Sequence, residues 1–404
     1  MTDALPDPVP FPMPRAAARP FDPAPELTRR SAEAPVSRVR LWDGTTPWLV
    51  TRYDDVRAVL ADPRVSVDVA EPGFPHTNAV SRARDARMKT LMQMDAPEHT
   101  AHRRLLTADF TIRRMEALRP RIQRIVDDLI DDLLAGPNPA DLVRAVALPV
   151  PSLVICELLG VPYADRAFFQ RAAAELVMDE GDPARALAAA EELNDYLEAL
   201  VQAKSDEPGD DVLSRLAVEQ YRTGAMTLTE ISTMGQLLLV AGHDTTANMI
   251  ALGTAALLAH PDQLAAVRDG DPALVANAVE ELLRYLSITH TEARRVARED
   301  LEVGGTMIRA GEGIVVVKST ANRDPSAFPD PGVLDVRREV RHHVAFGFGA
   351  HQCLGQSLAR VELQVVHGTL HRRVPTLAAA VPPAELAFKQ QAVFYGVREL
   401  PVTW

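Results

Sequence analysis

Between about Pro97 and residue 286, apolar positions recur every three to four residues, the spacing of one buried face on a helix. "EALRPRIQRIVDDLIDDLLAG" holds this pattern and stops at Gly136, while "PVPSLVICELLGVP" is apolar on all sides and predicts a core helix. Cys156 sits inside that second run and reads as a small buried hydrophobe. Thr227 to His260 contains no proline and predicts one helix roughly 50 Å long at 1.5 Å per residue. Elsewhere the period changes. "PWLVTRY" has the content of a short strand, and "DDVRAVLADP" predicts a helix that ends before Pro63. After residue 298 the texture becomes strands and turns, with "LEVGGTMIRAGEGIVVV" predicting a hairpin tipped by Gly-Gly. A further helix follows Cys353, and the tail after Pro382 is again strand-like.

The fold class that follows is mainly α with a small β part. Residues 1–25 carry eight prolines and predict an extended arm that lies along a surface or stays loose. With no repeat and no clean linker, residues 26–404 read as a single α-rich domain.

Composition narrows the function. Of the 404 residues, 47% are hydrophobic, enough for a large core, and the net charge of -12 argues against a nucleic-acid binder. Two cysteines, Cys156 and Cys353, cannot build a disulfide framework and point to a reducing compartment. There is no secretory pattern at the start and no apolar run of about 18 residues, so the expectation is a cytoplasmic protein without membrane or nucleic-acid partners.

The candidate chemistry starts at "FGFGAHQCLG", Phe346 to Gly355. A thiolate that holds a metal needs a low pKa, a fixed direction and shelter. A good helix former follows Cys353, placing it near free N–H groups, and Gly347, Gly349 and Gly355 permit close backbone approach. Residue by residue, an inert buried cysteine in a glycine-rich turn explains the stretch equally well. Taken together, Phe346, Gly349, Cys353 and Gly355 match F-x-x-G-x-x-x-C-x-G, and the run resembles the haem-binding loop of the cytochrome P-450 superfamily. The resemblance covers roughly residues 45 to 400 and is strongest to the soluble bacterial type. It implies a haem–thiolate monooxygenase domain, often of secondary metabolism, with a long central helix over haem b. Cys353 would be the axial ligand of the iron, with Phe346 over the sulfur and Gly355 beside the porphyrin.

Further motifs stand in the family's order. In "LLLVAGHDTTANMI", Gly242 costs about 1 kcal/mol against alanine within a helix, and Asp244 interrupts an apolar run. An outward-facing Asp244 would account for that alone. The family pattern A/G-G-x-D/E-T is matched by Ala241, Gly242, His243, Asp244 and Thr245. By resemblance Thr245 loosens the helix through a bond to the Ala241 carbonyl and directs protons to oxygen, with Asp244 as the relay acid. His243 takes no role and reads as exposed or locally bonded. "EELLR" sets Glu281 and Arg284 on one helical face; such pairs are commonly surface ion pairs. The family buries this one with a third partner, here Arg338, with Arg337 as the alternative. His99 and Arg103, Arg295, and His351 match the family's partners for the two haem propionates, Arg104 and Arg294 being the adjacent alternatives. A metal site at His102 or His342–His343 is a weaker reading.

Pocket residues are expected from the loop around 70–93, the region around 168–180, residues 237–245, Ser287 to Glu292 and the turn at Val393. Met94, Leu238, Val240, Ala241, Thr289, His290, Val393 and Phe394 suit a mid-sized, mostly apolar organic substrate with a few oxygens. The chain shows no flavin or iron–sulfur segment, so electrons would come from an external ferredoxin. It would dock on Arg103, Arg104, Arg113, Arg114, Arg337, Arg341 and Arg360 of a monomeric enzyme that consumes O2. Two rivals stand beside this: a peroxide-using or coupling haem–thiolate enzyme of the same fold, and a non-catalytic helical ligand carrier.

Overall fold

The computed structural model describes residues 6–85, 89–165, 167–169, 171–172 and 183–404. Its contacts gather into two compact units. The first is Met1–His99, Ala256–Leu354 and Pro382–Gly396; the second is Thr100–Ala255, Gly355–Val381 and Val397–Trp404.

In the first unit, the β-branched run ahead of Lys318 folds as the strand Gly313–Val316, with all four residues buried. A strand with neighbours on both edges and cover on both faces reads as continuous apolar sequence, not as an alternation. The six-stranded order is Val9–Pro10, Val36–Arg40, Trp48–Val50, Gly313–Val316, Ala293–Ala297 and Val65–Ser66. Trp48 pairs in parallel with Ile314, and Ile314 pairs antiparallel with Arg295 on the other edge. This register carries the chain after Val316 directly into the interior. The helix Tyr53–Ala61 packs Tyr53, Val56 and Leu60 into the same apolar cluster as Trp48, Ile314 and Val316. The expected hairpin is present: Leu301–Val303 pairs with Thr306–Ile308, and Gly304 and Gly305 turn the corner with φ of 55° and 77°.

The proline-rich arm is more ordered than its composition implies. Val9–Pro10 adds a parallel strand beside Val39 and Arg40, and Phe11 and Met13 are buried. Arg30 fixes it from below, donating to the Asp7 carbonyl at 2.6 Å and the Arg38 carbonyl at 3.0 Å. Apolar residues between the prolines supply the burial that a loose segment lacks.

The second unit is helical. Ile112–Ala135 runs against Gln356–Arg373, burying Ile122, Val126 and Ile130 from one helix and Val361, Val365 and Leu370 from the other. At the edge of that contact Gln123 donates to Thr369 at 3.0 Å and Arg119 to Gln364 at 2.7 Å. Pro149–Leu159 is the expected core helix, with Cys156 buried in it. The long helix is Leu228–Leu258, and no single described helix is long and apolar enough to cross a membrane. The tail is less strand-like than the sequence suggests. Pro383–Glu385 is a 3-10 turn, and only Pro401–Thr403 is a strand, between Ala378–Ala379 and Ala140–Asp141.

Candidate functional site

Cys353 lies in the first unit on a loop shaped by its own backbone. Its N–H donates to the Phe346 carbonyl at 2.8 Å, and Gln352 N–H donates to Gly349 at 3.1 Å. Gly349 has φ +74°, and a Cβ there would stand 2.6 Å from the Leu60 carbonyl oxygen, so no other residue fits. The loop therefore rests on the end of the helix Tyr53–Ala61, where Arg57 also covers the Phe348 ring at 4.3 Å. The helix after the cysteine begins at Gln356, with Gly355 as its cap, so Cys353 precedes the first turn instead of starting it. Gly355 needs no special backbone angle and has open space where a Cβ would go.

Behind the loop stands the Glu281–Arg284 pair. Both side chains are fully buried, joined by bonds of 2.7 and 2.8 Å. Arg338 donates to Glu281 through Nε at 3.3 Å, whereas Arg337 is exposed and its backbone bonds to Asp335. Arg284 also donates to the Asn322 carbonyl at 2.8 Å. The Asn322 side chain in turn accepts from Val344 N–H at 2.8 Å, two residues before Phe346. Asn322 is a relay between the pair and the loop that sequence reasoning missed; a buried amide in "TANRDP" was the only signal. His342 and His343 are spoken for: the first stacks on Phe328 at 4.8 Å and the second meets Glu280 at 3.1 Å. No metal cluster of histidine, cysteine or carboxylate occurs among the described residues.

Three of the four expected propionate partners fall in the first unit. The buried His99 ring lies 4.0 Å, centroid to centroid, from that of His351. Arg295, opposite Ile314 in the sheet, donates to the Arg294 carbonyl at 2.8 Å. Desolvation lowers its pKa to about 10, against the pull of Asp95. Arg103 lies one turn after His99 on the helix Glu98–Thr107 and is grouped with the second unit.

On the long helix, Thr245 Oγ1 donates to the Ala241 carbonyl at 2.8 Å, the bond expected there. Asn248 donates to both the carbonyl and the carboxylate of Asp244, at 2.9 and 3.0 Å. Asp244 and Thr245 are partly accessible and Ala241 is exposed, in a helix whose next turn is buried. Gly242 brings Ile155 close; a Cβ would meet its Cδ1 at 3.2 Å. His243 is buried with 4% exposure, which overturns the exposed reading. The helix has apolar packing on many sides, and Ser232, Gln236, Thr246 and Asn248 are buried along with His243.

The segments Ser287 to Glu292 and Val393 to Phe394 are joined in the first unit. Thr289 and Phe394 form an antiparallel bridge, and His290 N–H donates to Val393 at 2.9 Å. His290 is buried; desolvation, reinforced by Arg15, lowers its pKa to about 4 and keeps it neutral. Met94 is buried in the first unit; in the second, Leu238 is buried and Val240 partly so. Residues 86–88 of the first expected pocket loop and 173–180 of the second lie outside the described residues.

The residues of the first unit fit a haem. The first unit offers one thiol on a glycine-built loop, with Arg295, His99 and His351 as donors for carboxylates. Taken by itself, the second unit carries an acid and a hydroxyl on adjacent residues of one helix.

A family model described as cytochrome P450 matches residues 23–270 and 272–373. Cytochrome P450-SU2 of Streptomyces griseolus is 52% identical over 401 residues, covering 99% of this chain and 98% of the relative. The crystal structure of GfsF, a cytochrome P450 of Streptomyces halstedii, superposes with TM-score 0.94 at 51% identity, covering 98% of this chain and 100% of that one. Mycinamicin VIII C21 methyl hydroxylase MycCI of Micromonospora griseorubida, bound to mycinamicin VIII, gives TM-score 0.91 at 40% identity, covering 98% and 100%.

Proposed function

The chain belongs to the cytochrome P450 family of haem monooxygenases, and on that premise we propose that it hydroxylates or epoxidises a mid-sized, mostly apolar organic molecule with electrons from an external ferredoxin and its reductase. The observation that carries this reading is the Thr245–Ala241 bond beside the Asp244–Asn248 contact on one accessible stretch of helix. Reductive use of O2 consumes protons, and an acid next to a hydroxyl provides a route for them. A peroxide-driven enzyme has no need of one.

When bound, haem supplies the activation of O2 and the transfer of one oxygen atom to the substrate. Cys353 would bind the iron as thiolate, held by its N–H bond to Phe346. Glu281, Arg284 and Arg338 keep that loop in place through Asn322 and Val344. Arg295, His99, His351 and Arg103 would hold the haem carboxylates, and Phe346 and Gly355 would line the site for the ring. Asp244, partly accessible, would take protons from solvent, and the Thr245 hydroxyl, held on the Ala241 carbonyl, would hand them on.

Substrate contacts come from Met94, Thr289, His290, Val393 and Phe394, and from Leu238, Val240 and Ala241. MycCI was solved with mycinamicin VIII, which supports a small organic molecule as the ligand here. Exposed Arg104, Arg113, Arg114, Arg337 and Arg341, with the partly exposed Arg103 and Arg360, are suited to an acidic ferredoxin. We assign the chain to the cytoplasm as a monomer, with residues 26–404 acting as one catalytic domain behind the arm 1–25. The test is turnover under isotopically labelled O2 with ferredoxin and reductase, on compounds selected by their spin shift. One labelled oxygen per product supports the reading; turnover with peroxide alone, indifferent to ferredoxin, refutes it.

A further inference from the structure

A lysine ends the apolar run "GIVVVK", and the central position of Gly313–Val316 in the sheet sends it inward. Lys318 is 8% exposed, as is Glu292. Glu292 falls opposite Val317, next to the lysine, since Ala293 pairs antiparallel with Val316. Its backbone has φ 55°, a left-handed conformation uncommon for a residue with a side chain. That conformation turns the carboxylate onto the N–H groups of Lys318 and Ser319, at 2.8 and 3.2 Å.

Glu292 thus anchors the lysine's backbone and not its ammonium. Among the described residues, no carboxylate lies within 4.0 Å of Lys318 Nζ. Its electrostatic neighbours are Glu292, Arg295 and Cys353. Burial and Arg295 both weaken the hold of Lys318 on its proton, while Glu292 and Cys353 strengthen it. Two cations in each other's field inside a protein are costly unless an anion joins them. Asp95, the carboxylate acting on Arg295, is already 2.9 Å from Arg298.

We propose that Lys318 and Arg295 together bind one carboxylate of the haem, with Glu292 fixing the lysine's backbone so that its ammonium faces that group. This rests on haem binding at Cys353 as proposed above. Arg295, on the strand paired with the one that leads into Lys318, is already a donor for that carboxylate in the reading above, which favours a cofactor carboxylate over one belonging to a substrate. The charge also acts on the iron's electron balance. A cation near the haem favours the reduced state, which carries one more negative charge.

The test uses Lys318→Met, close in length and apolar, and Lys318→Arg, which restores the charge. Haem loss is timed by transfer from the substrate-free ferric protein to excess apomyoglobin, and the midpoint potential is read by spectroelectrochemistry. Loss of a charge-assisted bond should speed release about tenfold or more in K318M, with a more negative midpoint; K318R should return both towards the parent. Parent-like release and potential in K318M overturn the proposal, including where only the binding of acidic ligands is weakened. If K318M fails to fold, the double variant Glu292→Gln/Lys318→Met, which buries no charge at either position, decides on the same two readouts. A parent without a haem–thiolate spectrum refutes the underlying reading; a parent with one and an unaffected K318M refutes the role of Lys318 alone.

Discussion

Glu281 and Arg338, 57 residues apart in sequence, meet with Arg338 Nε 3.3 Å from Glu281 Oε1. The carboxylate also holds Arg284 and accepts the Asp335 N–H at 3.0 Å. Arg338 reaches further, to carbonyls of Pro329, Asp330 and Val333, and ties this segment to the helix Pro272–Leu286. Arg337, one residue away, points outward.

Removing one partner from a fully buried ion pair leaves the other charge uncompensated, a loss of about 3–5 kcal/mol. Arg284→Met should therefore lower stability by that order in urea unfolding and reduce haem content on expression. Arg337→Met should stay within about 0.5 kcal/mol of the parent. Equal losses would contradict the geometry.

Gly349 and Gly355 should separate. Gly349→Ala puts a Cβ 2.6 Å from a backbone oxygen at φ +74°, costing about 1–3 kcal/mol of strain before the clash is relieved. It should destabilise the haem-free protein in unfolding experiments. Gly355→Ala meets nothing within 4 Å and has φ -80°. It should leave haem-free stability unchanged and show its cost only as faster haem loss.

Thr245→Ala should cut ferredoxin-supported product formation by about a hundredfold or more, the usual value of a positioned proton donor. Peroxide-supported turnover should persist, and Thr245→Ser should recover most of the reductive activity. Product formed per electron consumed is the measurement. An unchanged ratio in the alanine variant would remove the proton route from the mechanism.

Acid should weaken the fold through two buried histidines on the helix Gln356–Arg373. His367 and His371 stack with ring centroids 5.9 Å apart and are buried without hydrogen-bond partners among the described residues. Desolvation lowers their pKa values to about 4 and about 3, with His367 adding to the shift at His371. The unfolded histidines, near 6.5, bind protons first, so stability from this source is lost as pH falls from about 6.5 towards 4. Glu362 opposes this: burial raises its pKa to about 8, and its contribution is lost as pH rises from about 4.5 to 8. His367→Leu/His371→Leu should flatten the acid limb of stability against pH, measured by urea unfolding at fixed steps. An unaltered acid limb would contradict the assignment.

The long helix, the hairpin and the loop around Cys353 were legible in the sequence because each depends on local signals: period, turn residues and spacing. The arm was legible only as extended and either docked or loose, since its docking depends on Phe11, Met13 and the distant Arg30. The exposed half of the His243 reading failed for a related reason. Helical period assigns a polar residue to a wet face, yet Leu228–Leu258 has few such positions. Arg338 could be separated from Arg337 only once the chain between Pro329 and Asp335 was placed. Lys318 and Asn322 drew no attention because their importance arises from sheet register and from partners 26 and 22 residues away.

The central claim is that the sulfur of Cys353 binds haem iron. The ferrous–CO absorption spectrum of the parent and of Cys353→His tests it most directly. A strongly red-shifted Soret band in the parent that is lost in the variant is the expected result. A colourless parent supplied with hemin, or a band that survives the substitution, would contradict it.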